Sequence, residues 1–206
     1  LILALDTTHE QGSIALIDQG RILCEYPLDG ADGFGHTLFA AIAALPVPLD
    51  RIDAFSAACG PGTFTGVRIG LTAVKGLAEA TGKPAYGISN LAALLTFARS
   101  PRAIPFYDAR RGDVYARRLD GEEVVIPLAQ LPLIAPPPVE WISPQNFPGF
   151  DLTPAPSLIA GALGLLAEKR FLAGDRPDPA TLDANYVRRT DAELNWRDTG
   201  ALPNRS

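Results

Sequence analysis

Two stretches of this chain carry residue types capable of chemistry. Asp6, Thr7 and Thr8 put a carboxylate and two hydroxyls at the end of a continuous apolar run. Farther on, Cys59-Gly60-Pro61-Gly62-Thr63-Phe64-Thr65-Gly66-Val67-Arg68-Ile69-Gly70 follows a second apolar run and leads into a helical pattern. A glycine-rich strand-to-helix turn leaves backbone N–H groups at the positive end of a helix, which suits an anion. Gly60 and Gly62 permit close approach and positive φ, and Pro61 stiffens the turn. The same residues also read as a tight turn that lets helix and strand pack closely.

Missing residue types narrow the chemistry. The chain has two histidines, His9 and His36, and two cysteines, Cys24 and Cys59. No H-x-x-x-H, H-E-x-x-H or C-x-x-C spacing occurs, so neither a histidine-rich metal site nor a zinc protease is expected. There is no G-x-S-x-G elbow and no G-x-x-x-x-G-K-[ST] loop. Cys59 reads as a small buried residue rather than a nucleophile. Two cysteines make no disulfide framework, which points to a reducing cytoplasm. A net charge of −5 over 206 residues argues against the chain gripping a nucleic-acid backbone alone. The pairs Arg110-Arg111, Arg117-Arg118 and Arg188-Arg189 therefore read as solvated faces or ordinary ion pairs. No apolar stretch is long enough to span a bilayer, and no basic segment precedes an apolar one at the start, so neither membrane span nor secretory signal is expected.

The elements that must position these residues follow from hydrophobic periodicity. Residues 1–5, 13–18 and 21–27 read as three strands of an antiparallel meander. Residues 36–45 form a helical pattern with Leu38, Ile42 and Leu45 on one face and Phe39 and Ala43 beside it. No charged residue occurs between Gly33 and Leu49, so this helix is expected to be buried in its own domain or covered by another chain. Residues 52–59 read as a fourth strand and 66–80 as a helix with two stripes. Arg68, Thr72, Lys75 and Glu79 form the polar stripe, and Gly66, Gly70, Ala73 and Leu77 the small-residue one. Small residues spaced in this way let another helix come close, either the preceding helix of the same chain or a helix of a partner. Residues 85–88 are a short strand, and Ser89-Asn90 reads as the cap of a third helix. Ser100-Pro101 reads as a boundary, giving a first lobe over 1–100 and a smaller, proline-rich second lobe over 101–206. In the latter, 103–107, 114–119, 124–127 and 139–142 are candidate strands, 156–172 an amphipathic helix, and 199–206 a disordered tail.

Meander, helix, strand, glycine turn and helix is the element order of the actin-like ATPase lobe, an α/β ribonuclease H-like fold of two lobes with mixed sheets and flanking helices. The residues are closer still to one family. Leu3-Ala4-Leu5-Asp6-Thr7-Thr8, the stretch Gly60 to Gly70, Lys75-Gly76-Leu77-Ala78, Asp108-Ala109-Arg110-Arg111-Gly112-Asp113-Val114-Tyr115 and Asn185-Tyr186-Val187-Arg188 resemble the TsaB (YeaZ) family.

That resemblance implies a cytoplasmic, non-catalytic subunit of the machinery that places threonylcarbamoyl on the adenosine next to the tRNA anticodon. Its implied partners are TsaD, the catalytic paralogue, and TsaE, a small ATPase. tRNA would be met only through the complex, and a homodimer is implied when TsaD is absent. Catalytic relatives carry an H-x-x-x-H metal pair, and the matching positions here are Asn90 and Leu94, so no catalytic or metal residue is assigned. The uncharged helix and the small-residue stripe would form a helix bundle with TsaD or a second copy, through His36, Leu38, Phe39, Ile42, Gly66, Gly70, Ala73 and Leu77. A stable interface of this kind buries on the order of 1,600 Å². Asp6, Thr7 and Thr8, with Gly60, Gly62 and Thr63, match the position that faces phosphate and magnesium in actin-like ATPases, so ATP or ADP contact is one expectation and a purely fold-holding turn the other. Two further functions stay open: a free-standing actin-like small-molecule kinase, and a glycoprotease-like peptidase.

Overall fold

The computed structural model describes residues 1–31 and 33–187. Strand β1 (Ile2–Asp6) pairs antiparallel with β2 (Gln11–Asp18), which pairs with β3 (Arg21–Asp29). On its other side β1 runs parallel to β4 (Ala54–Ala58), and β4 to β5 (Ala85–Ile88). The first sheet is therefore ordered β3-β2-β1-β4-β5. The second repeats the plan. Strands β6 (Ala103–Asp108), β7 (Asp113–Arg117) and β8 (Glu123–Pro127) form an antiparallel meander. Strands β9 (Glu140–Ser143) and β10 (Leu152–Pro154) extend it in parallel from β6. Two mixed five-stranded sheets with flanking helices make the actin-like two-lobe α/β fold.

Successive strand residues point to opposite faces, and β1 is buried on both. Leu3 and Leu5 meet helices α1 (Phe34–Ala43) and α2 (Phe64–Thr81), with Leu38, Ile42, Val67, Leu71 and Val74 filling the layer. Ile2 and Ala4 face α3 (Asn90–Leu94) and α4 (Ala160–Leu172), which lie between the sheets. The outer face of the second sheet, Ile104, Phe106, Val114 and Ala116, is covered by Leu131, Ala135 and Phe147. The proline-rich stretch is thus the lid of a third core, and β10 within it was not foreseen.

Three expectations are corrected. The division at residue 100 does not follow the packing, because α4 returns to the first sheet. A Cβ at Gly164 would strike Ile17 and one at Gly161 would strike Ile22, so these glycines let the helix lie on β2 and β3. Polar ties fix it there: Ala160 N–H donates to Ser13 Oγ at 3.0 Å, Gly161 N–H to Glu25 Oε1 at 3.0 Å, and Gly20 N–H to Glu168 Oε2 at 2.7 Å. The helix begins at Ala160, not 156. Second, Gly66 and Gly70 do not await a neighbouring helix. A Cβ on Gly66 would strike the Thr7 carbonyl, and one on Gly70 would lie 2.7 Å from Thr7 Oγ1, so both seat α2 on the end of β1. Third, Leu38 and Ile42 are buried in the chain's own core. Arg188, Arg189 and the expected tail fall outside the described residues.

Two glycines of α2 should respond oppositely to alanine. Gly66→Ala forces a methyl into the Thr7 backbone and is expected to lose about 2–3 kcal/mol. Gly76→Ala adds a methyl to an exposed helix position with nothing within 4 Å and should gain about 0.5–1 kcal/mol. Urea unfolding of the two variants checks this; equal shifts would contradict the packing of α2.

Candidate functional site

The site begins with Asp6, a carboxylate at the end of a central strand and only 1% exposed. Its Oδ1 accepts the Thr8 N–H at 2.9 Å and the Thr8 hydroxyl at 2.7 Å. Thr8 Oγ1 in turn accepts from Asn90 Nδ2 at 2.6 Å, while Asn90 Oδ1 accepts the Gly60 N–H at 3.1 Å. Asn90 is therefore a buried bridge between the strand end and the glycine turn; the cap of α3 is Ser89 alone, whose hydroxyl accepts from Leu91 and Ala92. The Thr7 hydroxyl donates to the Gly66 carbonyl at 2.7 Å, and Thr63 N–H donates to the Thr8 carbonyl at 2.8 Å. Gly62 lies so near Thr8 that a Cβ would sit 2.6 Å from its Cβ, and Gly60 holds φ at +105°. Thr63 caps α2 by accepting from Gly66 N–H.

All six residues of the proposed anion site are thus brought together, but their polar groups face one another. The buried Asp6 carboxylate, with Oδ1 held twice by Thr8, does not fit a magnesium–phosphate group. Only Gly62 and Thr63 reach the adjoining cleft of about 420 Å³, which His9, Tyr107, Arg110 and Gln145 also line. His9 Nδ1 is 2.9 Å from Thr8 Oγ1. Because the single Thr8 proton goes to Asp6, His9 must be the donor, so Nδ1 carries a proton. Burial holds the imidazole below its ordinary pKa, against the pull of Asp6. Its ring stacks on Tyr107 at 4.5 Å. Burial also pushes the Cys59 thiol up to about 11, so it is no nucleophile. Among the described residues no three His, Cys, Asp or Glu side chains gather as a metal-holding group.

On the opposite side of the first sheet, α1 and α2 leave an open groove of about 630 Å³ between them. Of the residues picked out as interface, Leu38, Phe39, Ala73 and Leu77 line it. Phe39 is 58% exposed. His36 is exposed on α1 but not among the lining residues, and Ile42, Gly66 and Gly70 are buried behind it. Sequence periodicity missed Phe64, 49% exposed, and Ile69; the signal available was an aromatic in the first turn of a helix with no core partner. No helix of the described residues is long and apolar enough to cross a membrane.

The model of the TsaD family, tRNA N6-adenosine threonylcarbamoyltransferase, matches residues 34–127. The tRNA threonylcarbamoyladenosine biosynthesis protein TsaB of Bacillus subtilis is 27% identical, over 95% of this chain and 97% of its own length. An uncharacterized protein of Mycobacterium tuberculosis H37Rv is 31% identical, over 97% of this chain and 87% of its own. Among solved structures, YeaZ from Pseudomonas aeruginosa superposes with a TM-score of 0.69 at 29% identity, covering 90% of this chain and 99% of the other.

Two measurements probe the buried network. Asn90→Leu leaves the Gly60 N–H unpaired and removes the Thr8 bond, and should lose about 2–4 kcal/mol of stability; a loss under about 1 kcal/mol would show that water replaces Asn90. For His9, the folded pKa lies below the unfolded value, so its contribution is whole above pH of about 6.5 and is lost as pH falls below it. Stability of the native chain should decline from that pH downward, and His9→Phe should flatten that first part of the decline.

Proposed function

The chain belongs to the TsaB (YeaZ) family, a paralogue of TsaD, and from this membership we propose that it is the non-catalytic subunit that docks TsaD for threonylcarbamoylation of the adenosine beside the tRNA anticodon. It is a homologue of proteins of tRNA threonylcarbamoyladenosine biosynthesis. The observation that carries the docking role is the open apolar groove between α1 and α2, with Phe39 and Phe64 exposed at its rim, Ile69 and Leu77 half-buried along it and Leu38 and Ala73 as its floor, and with no covering element among the described residues. Apolar side chains concentrated in one groove mark an interaction surface, and a groove between two helices fits a helix of a partner. TsaD shares this fold, so its own helix pair offers a matching shape. TsaE and tRNA join through that complex in the cytoplasm, and a second copy of this chain would compete for the same patch, since an isologous pair uses one surface twice.

The non-catalytic assignment is supported by Asn90 and Leu94, which stand where catalytic relatives carry histidines, and by the internal engagement of Asp6 and Thr8. On this reading ATP or ADP belongs to the joint with TsaD and not to Asp6. The buried Asp6 likewise gives no support to a free-standing kinase, and the raised Cys59 pKa none to a peptidase.

Mixing this chain with TsaD of the same organism and measuring mass by light scattering tests the proposal. A one-to-one complex is expected. Phe39→Asp should abolish it while leaving the isolated chain folded, because Phe39 is outside the core. If no complex forms with or without ATP, TsaE and tRNA, the docking role is wrong and turnover by the isolated chain becomes the question.

A further inference from the structure

One cation stands at the end of the groove, held in place with no carboxylate partner among the described residues. Arg68, in the first turns of α2, lays its guanidinium 4.2 Å over the ring of Phe64. Its Nε–H donates to the hydroxyl of Tyr186 at 3.0 Å, and the rings of Phe64 and Tyr186 stack at 5.8 Å. Tyr186 belongs to the segment that crosses back over α2 after the last helix. That segment is pinned by its neighbour Asn185, whose N–H donates to the Cys59 carbonyl at 2.7 Å and whose Nδ2 donates to Glu123 Oε2 at 2.5 Å. Glu123 also accepts from Ser89 Oγ at 2.5 Å and Arg117 Nη1 at 3.0 Å. Lys75 Nζ adds a tie to the Ala180 carbonyl at 3.4 Å.

Arg68 therefore has one donor fixed and its plane set, while its Nη groups have no hydrogen-bond partner and no carboxylate among the described residues. The facing helix α1, Phe34–Ala43, has no charged side chain to offer. A guanidinium pre-set in this way loses little freedom when it meets a carboxylate, and its two-pronged geometry suits one. We propose that Arg68, aimed by Tyr186, is the anchoring cation of the groove and takes a carboxylate carried on the apolar helix of the docking partner. This rests on the docking role proposed above. Tyr186 is then a positioning residue, acting through Arg68, and the Glu123–Asn185 contact is what keeps it in place.

The test measures affinity for TsaD by titration calorimetry at low and high salt, using the whole chain and the variants Arg68→Gln, Tyr186→Ala and Tyr186→Phe. Arg68→Gln is expected to weaken binding by about tenfold at low salt and to remove most of the salt dependence. Tyr186→Ala should do the same with an unchanged thermal midpoint, since Tyr186 is 41% exposed. Tyr186→Phe, which keeps the ring on Phe64 but drops the hydroxyl, should fall between the two. A structural role alone would move the midpoint and leave the salt dependence intact, and that result overturns the proposal. It is also overturned if Arg68→Gln binds within about twofold of the native chain with the same response to salt while Phe39→Asp abolishes binding. If Phe39→Asp binds as the native chain does, the groove itself is not the docking site and the role of Arg68 falls with it.

Discussion

A carboxylate sealed at the end of a central strand needs hydrogen-bond donors, and Asp6 finds two for its Oδ1 within the chain. The bonds come from Thr8, and Thr8 is held in turn by Asn90. Asn90 reaches Thr8 only because β5 delivers it beside the glycine turn. The turn comes close enough only because Gly62 and Gly66 lack a Cβ. Strand, turn and third helix are thereby locked in one register, and α2 is seated on β1 at a fixed height. The groove on its outer side inherits that placement.

The same lock turns inward residues that a fold of this class often uses to hold phosphate. Asp6, Thr7, Thr8 and the glycine turn sit where an anion could be held, yet their donors and acceptors close on each other. The helix N-terminus is capped by Thr63, and the half-buried His9 keeps a proton on the nitrogen that faces Thr8. An apolar surface stays open beside it, in the groove between α1 and α2.

Much of this was legible in the residues. Alternation and apolar runs located most of the strands, because central strands such as β1 and β4 are buried on both faces and the runs end in glycine, proline or aspartate. The longest stretch of the family resemblance was the glycine turn, where Gly62, Gly66 and Gly70 are each required by a close approach. What could not be read was which side of an element faces inward. Helix α1 has no charged side, so periodicity could not separate Leu38 and Ile42, which are inside, from Phe39, which is outside. The glycine stripe of α2 fits a strand end as well as a helix. Asn90 next to Ser89 looks like a cap, and only the chain's return to residues 8 and 60 gives it another role. The proline-rich stretch lacks any period, since it covers the second sheet with scattered side chains such as Leu131 and Phe147.

The return of α4 to the first sheet has a consequence for how the protein is made. The inner face of that sheet, with Ile2, Ala4, Ala15 and Ile17, is sealed by a helix translated long after it, and the Gly20–Glu168 bond spans 148 residues. A nascent chain emerging from the ribosome carries this apolar face bare until α4 has been made. Vectorial synthesis therefore gives no early, finished first lobe, and interrupted translation yields a sticky fragment that chaperones or proteases must handle.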